Sequence, residues 1–286
     1  MNLNEMVDYF EGKRLYGDDM SLDELAAWYE DEKEGFAGLK GKADRSKYRY
    51  AHHALNRRHG FRYLPKRRFP QVLGFGSAYG YEFKPIVDCI EQLTIVEPSD
   101  SFVQKAVFGL PTQYVKPEIT GTLPFGNDCF DLIVCLGVLH HVPNVSYILG
   151  ELYRCLKPNG FALVREPIVS MGDWRKFRPN LTKRERGIPI GIFRKIINEL
   201  DFKVIRETFC VFQALPKLFG RFFSGSIYNN DFMTWIDELS ARVLTWNISY
   251  HPIRVTEKFM PNNVFYVLSK TTTSSYSNRC DGLWLL

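Results

Sequence analysis

Two adjacent histidines and a glutamate carry the most reactive chemistry in the chain. His140 and His141 follow the apolar run Phe130–Cys135, and Glu166 lies in the later segment Arg165-Glu166-Pro167. Imidazole titrates near neutrality, so a histidine held beside an oxygen nucleophile can take its proton. His141, His140 and Glu166 are the candidate bases, in that order. Upstream lie residues suited to holding a nucleotide-like ligand. Gly74, Gly76 and Gly80 punctuate the turn after the apolar run Gln71-Val72-Leu73. Glycine has no Cβ and accepts positive φ, so backbone can approach a ligand closely there. Glu97 stands 17 residues beyond Gly80, just after Leu93-Thr94-Ile95-Val96. A carboxylate at the end of a second strand typically accepts hydrogen bonds from ribose hydroxyls.

These groups meet only if the apolar runs are strands of one parallel sheet. Residues 69–167 read as five strands alternating with helices. A helix after the glycine turn is expected to aim its free N–H groups and positive dipole end at the ligand. Such sheets bind ligands at the carboxyl ends of their strands, where the strand order reverses. Residues 1–50 read as helices, one of them starting at Ser21 with acids in its first turn. A further helix is expected over 46–64. A basic loop spans 170–187, a helix follows at 190–199, and strands are expected at Phe202–Ile205 and Val264–Leu268. Between those strands the spacing Phe232, Trp235, Ile236, Leu239, Val243 is helical. This aromatic segment is expected to stand beside the cleft.

At 286 residues the chain can bury a large core. It contains no uninterrupted apolar run of about 20 residues, so no membrane span is expected. Its first residues lack the basic start and apolar stretch of a secretory signal. Cysteines 89, 129, 135, 155, 210 and 280 form no Cys-x-x-Cys pair. That pattern suits buried free thiols in a reducing cytoplasm and argues against a zinc site. The net charge of +5 is segregated. Residues 17–34 are acidic, while Arg57–Arg68 and Arg175–Arg186 are basic. The basic segments are either solvated surface or a means of recruiting an anionic small molecule, such as a phosphorylated or carboxylated sugar. They are too short to favour nucleic acid.

The segments Thr122-Leu123-Pro124-Phe125, Phe130-Asp131-Leu132-Ile133, Val138-Leu139-His140-His141-Val142 and Leu156-Lys157-Pro158-Asn159-Gly160 occur in a fixed order. Together they resemble class I S-adenosylmethionine-dependent methyltransferases, closest to the subgroup called type 11, over residues 69–207. The resemblance implies an α/β Rossmann-like fold with a mostly parallel seven-stranded sheet and helices on both faces. It further implies an N-terminal helical extension and lid over 1–66, a methyltransferase domain over 67–270 with a helical insert over 209–260, and a tail over 271–286. S-adenosylmethionine is the implied cofactor. Gly74, Gly76, Ser77, Ala78 and Gly80 would form the turn at its methionine end. Glu97 would hold the ribose, Pro98 would lie against the adenine, Thr122 and Leu123 would flank it, and Cys135, Leu136 and Gly137 would lie beneath the sulfonium. The chain departs from the family at Gly74, where an acid is usual, and at Ala78, where glycine is usual. Glu118 is out of register for the family's adenine-contacting aspartate. The implied activity is methyl transfer to a small-molecule acceptor, foremost O-methylation of a sugar or sugar-linked intermediate, without a metal. A protein or nucleic-acid methyltransferase and a non-catalytic binding module are the alternatives.

Overall fold

Eight strands form one sheet in the computed structural model, which describes residues 3–39, 42–223 and 225–271. They are β1 (Phe69–Phe75), β2 (Ile90–Val96), β3 (Ala106–Val107), β4 (Leu110–Val115), β5 (Phe130–Leu136), β6 (Leu156–Pro167), β7 (Phe202–Phe212) and β8 (Pro261–Lys270). The order across the sheet is β3-β4-β2-β1-β5-β6-β8-β7. Strands β4, β2, β1, β5 and β6 run parallel, and β8 lies antiparallel between β6 and β7. The expected seven strands gain an eighth, the short β3. It folds back on β4 through Phe108 and Gly109, both at positive φ, as a tight two-residue hairpin requires. The expected tail beyond residue 271, with Cys280, lies outside the described residues.

Helices are α1 (Leu3–Phe10), α2 (Leu22–Glu32), α3 (Gly35–Gly38), α4 (His53–His59), α5 (Val145–Cys155), α6 (Ile190–Glu199), α7 (Ala214–Phe219) and α8 (Asp231–Val243). Alternate strand residues point to opposite faces, and the core divides accordingly. Leu73, Ile133, Cys135, Val164 and Tyr266 pack with Leu149 of α5 and Phe193 of α6. Val72, Leu132, Val134, Leu163 and Phe265 pack with Leu55 of α4, Leu215 of α7 and Met233 of α8. Helices thus cover both faces, as expected.

Two expectations about local structure are corrected. No α-helix follows the glycine turn before β2; two 3₁₀ turns, Tyr81–Phe83 and Val87–Cys89, stand there instead. Pro85 lacks the N–H that would carry the turn on into a helix, so no helix dipole faces the cleft from there. The 46–64 helix shrinks to α4 and a 3₁₀ turn at Phe61–Tyr63, and the preceding residues 48–52 have no regular structure. The Ser21 cap is present as a full capping box with Glu24. No helix among the described residues is long and apolar enough to cross a membrane.

Candidate active site

The strand order reverses between β1 and β5, and a cleft of about 490 Å³ opens at the carboxyl ends there. Gly76, Ser77 and Ala78 line it after β1, Glu97 and Pro98 after β2, Gly137, Val138, His140 and His141 after β5, and Arg165 and Pro167 at the end of β6. At Gly76, φ is +62° and a Cβ would stand 2.3 Å from Val138, so only glycine fits. Ala78 holds φ 45°, the left-handed region, without glycine's freedom. Glu97 is buried; its Oε2 accepts from the Ala78 N–H at 3.0 Å and its Oε1 from the Ser99 N–H at 3.2 Å. Burial pushes its carboxyl up to about 7. Glu82, also buried in this wall, is pushed up to about 7 by burial as well.

Gly74 lies behind the wall, where an added Cβ would meet Ser77 Oγ at 2.5 Å. The acid usual at this position cannot fit. Gly80, Thr122, Leu123 and Cys135 are likewise outside the lining. Gly80 makes room for Val107 of β3. Leu123 is core, and its N–H is tied to Glu151. Thr122 bonds Tyr147, and Cys135 is buried beneath Glu166. Gly121, Leu136 and Glu118 line the cleft instead.

His140, His141 and Glu166 come together, with different freedoms. Glu166 is fully buried, and Val138, Leu139 and His140 donate their backbone N–H groups to it at 2.8, 2.8 and 3.3 Å. It does not line the cleft; it pins the turn after β5. His140 Nδ1 lies 2.7 Å from Glu166 Oε2, and its Nε2 3.4 Å from Glu185 Oε1. Burial acts to lower its pKa, but the two carboxylates prevail and raise it to about 9. Both ring nitrogens are engaged, so His140 is an imidazolium strut. His141 is half-buried, with Nδ1 3.1 Å from both Glu32 Oε2 and Thr182 Oγ1. Its Nε2 remains for the cleft.

Glu32 comes from the N-terminal segment, which closes one side of the cleft. Trp28 of α2 is fully buried and donates to the His141 carbonyl at 2.7 Å. Asp18 caps α5 through the Ser146 N–H, and Ser99 Oγ donates to Glu34. The basic loop behaves differently from a rim of free charges. Arg186 is fully buried and donates to the carbonyls of Tyr16, Leu139 and Val142 at 2.8, 2.9 and 2.9 Å. Arg184 and Lys183 pair with Asp31. Arg178 bonds four loop carbonyls. Arg184 and Arg186 thus tie the loop to the N-terminal segment, and Arg178 ties it to itself.

The aromatic insert also lies elsewhere. Helix α8 packs on the sheet against α4, with Phe232 and Trp235 exposed and absent from the cleft lining. Its contribution is indirect. Buried Asp237 accepts from the Val211 and Phe212 N–H groups at 2.8 and 2.7 Å, holding Val211 at φ 64°. A β-branched residue at positive φ is strained, and Val211 lines the cleft. Sequence alone did not single out Glu32, Glu82, Arg165, Glu185 or Val211, because no motif spacing marks them.

The lining leaves polar groups open to a ligand. Three of its buried polar atoms, Ser77 Oγ, Asn144 Oδ1 and Arg165 Nε, have no hydrogen-bond partner among the described residues. Residues 73–164 match the family described as a methyltransferase domain, type 11. Over 102 residues the chain is 33% identical to YcgJ, an uncharacterized methyltransferase of Bacillus subtilis (strain 168), covering 33% of this chain and 40% of that protein. The chain therefore spans less than half the length of this curated relative. A chain of the complex between the Haloferax volcanii Trm112 methyltransferase activator and a methyltransferase superposes with a TM-score of 0.51 at 16% identity, covering 87% of this chain and 98% of that one. That likeness concerns the fold. In its motif order, its strand order and the matched segment 73–164, the chain is similar to class I S-adenosylmethionine-dependent methyltransferases of the type-11 subgroup.

Proposed function

We propose that the chain methylates an oxygen atom of a small-molecule acceptor, a sugar or sugar-linked compound, with His141 as the base. S-adenosylmethionine, when bound, supplies an activated methyl group on its sulfonium. Gly76, Ser77, Ala78, Glu97, Pro98, Leu136 and Gly137 hold it, and Glu82 provides the carboxyl at the methionine end that Gly74 lacks. The observation that carries this reading is the single cleft joining Glu97 and the glycine turn to His141, whose Nδ1 is occupied by Glu32. A carboxylate on one imidazole nitrogen fixes ring orientation and leaves the other nitrogen to accept a proton. Helix α2 lines one side of the cleft through Trp28, Tyr29, Glu32 and Lys33, which supports a small acceptor over a nucleic-acid strand. A panel of sugar, phenolic and peptide acceptors, assayed by mass spectrometry for one added methyl group, tests it. Methylation confined to nitrogen or to peptides would refute the oxygen assignment.

Two measurements address the cofactor. Glu97→Ala is expected to weaken S-adenosylhomocysteine binding by about 1.5–3 kcal/mol, because hydrogen bonds to a charged acceptor are lost. Calorimetry giving an unchanged dissociation constant would remove Glu97 from the site. The second concerns pH. A cation placed beside Glu82 stabilises its ionised form and lowers a pKa that burial holds at about 7. Binding of the cationic cofactor must then release protons, and its affinity rises with pH up to about 7. Binding heats in two buffers of different ionisation enthalpy count those protons; equal heats contradict the linkage.

A further inference from the structure

We propose that Arg165 anchors a carboxylate of the acceptor, which makes the substrate a small carboxylic acid, such as a uronate-type sugar, rather than a neutral one. This deepens the methyl-transfer reading and rests on it.

Arg165 sits near the end of β6 and is only 5% exposed, yet lines the cleft. Its Nη1 donates to Asn56 Oδ1 of α4 at 2.9 Å. Its Nε–H has no hydrogen-bond partner among the described residues. Its Nη2, the other tine of the same edge, lies 3.3 Å from where a Cβ on Gly137 would stand, so the absent side chain keeps that approach open. The Nε–Nη2 edge of a guanidinium matches the two oxygens of a planar carboxylate. Among the described residues no carboxylate oxygen stands within 4.0 Å of Arg165.

A buried cation is favoured by an opposite charge beside it. Burial raises the Glu82 carboxyl to about 7, so at neutral pH it offsets only part of the Arg165 charge, and the Arg165 Nε–H stays unpaired. Burial holds His52 well below its usual range and raises the Tyr50 phenol, so both are neutral. Lys42 adds a positive charge, weakened by its own burial. Tyr48, Tyr50, His52, Val211 and Asn263 form the surrounding wall, which is polar and aromatic enough for a small ring. Within the sheet, β6 is separated from β1 by β5, which sets the Arg165 backbone about 10 Å from the strand that carries the glycine turn. The side chain reaches back toward Gly137, so the test below compares cofactor analogues with and without a carboxylate.

The test uses the full chain and its R165Q and R165K variants. D-glucuronate and benzoate are titrated against D-glucuronamide, benzamide and inorganic phosphate, with and without S-adenosylhomocysteine. At least one carboxylate should bind the wild type about tenfold or more tighter than its amide. R165Q should erase that preference and R165K keep part of it. Melting temperatures should confirm folding of both variants, and S-adenosylhomocysteine should bind all three proteins alike. The proposal is overturned by equal binding of acids and amides, by a preference that survives in R165Q, or by phosphate binding best. It is also overturned if R165Q weakens S-adenosylhomocysteine but not 5′-methylthioadenosine, since Arg165 would then hold the cofactor's own carboxylate. Arg165-dependent carboxylate binding in a wild type that ignores S-adenosylhomocysteine would instead sink the methyl-transfer reading and leave the anion site standing.

Discussion

His141→Gln is expected to lower turnover by about 10²- to 10⁴-fold, the range for losing a positioned general base, while S-adenosylhomocysteine binds as before. Geometry separates His141 from its neighbours. Glu166 has its oxygens filled by backbone N–H groups and His140. His140 lies between Glu166 and Glu185 and keeps its proton, with a pKa near 9. Only His141 has one nitrogen fixed, by Glu32 and Thr182, and the other turned to the cleft. Replacing His140 should therefore unsettle the turn after β5 and reduce stability, whereas His141→Gln should not. Glu32→Gln retains an acceptor for Nδ1–H and should keep more turnover than Glu32→Ala. Single-turnover rates of methyl transfer check this. A His141→Gln protein retaining turnover within about threefold of wild type would mean that the acceptor needs no base from this residue.

The second large effect concerns stability. Arg186→Met is expected to cost roughly 3–5 kcal/mol, because three buried carbonyls lose a charged donor and each unsatisfied group costs about 1–3 kcal/mol before water relieves part of it. The melting temperature should fall by about 10 °C or more. The affected carbonyls, Tyr16, Leu139 and Val142, belong to the N-terminal segment and to the His-bearing turn. Their loosening should also reduce turnover. Arg175, exposed and paired with Asp173, serves as control, since surface changes of this kind stay within about 0.5 kcal/mol. If Arg186 acted instead as a recruiting charge at the rim, thermal denaturation would be unchanged and only the Michaelis constant would rise.

The sequence by itself determined the parallel sheet and most of its strands, the Ser21-capped helix, and the positions of Gly76 and Glu97. Each rests on local physics: alternation of buried side chains, a capping hydroxyl, a turn that admits no Cβ, and a carboxylate one step past a strand. That His140, His141 and Glu166 lie together was also legible, because residues at the ends of neighbouring parallel strands must converge on one edge of the sheet. Their division of labour was not visible. Whether an imidazole is a base or a buried cation depends on what occupies its second nitrogen, and here the partners are Glu32 and Glu185, 109 and 45 residues away from the ring each one holds. The same holds for the arginines. Composition grouped Arg184 and Arg186 as a basic patch, but folding spent them on Asp31 and on backbone carbonyls. Arg165, in no cluster at all, was left buried with an open donor edge. Charge is a property of the residue; whether that charge is free to meet a ligand is decided by burial and by partners that only tertiary structure brings within reach.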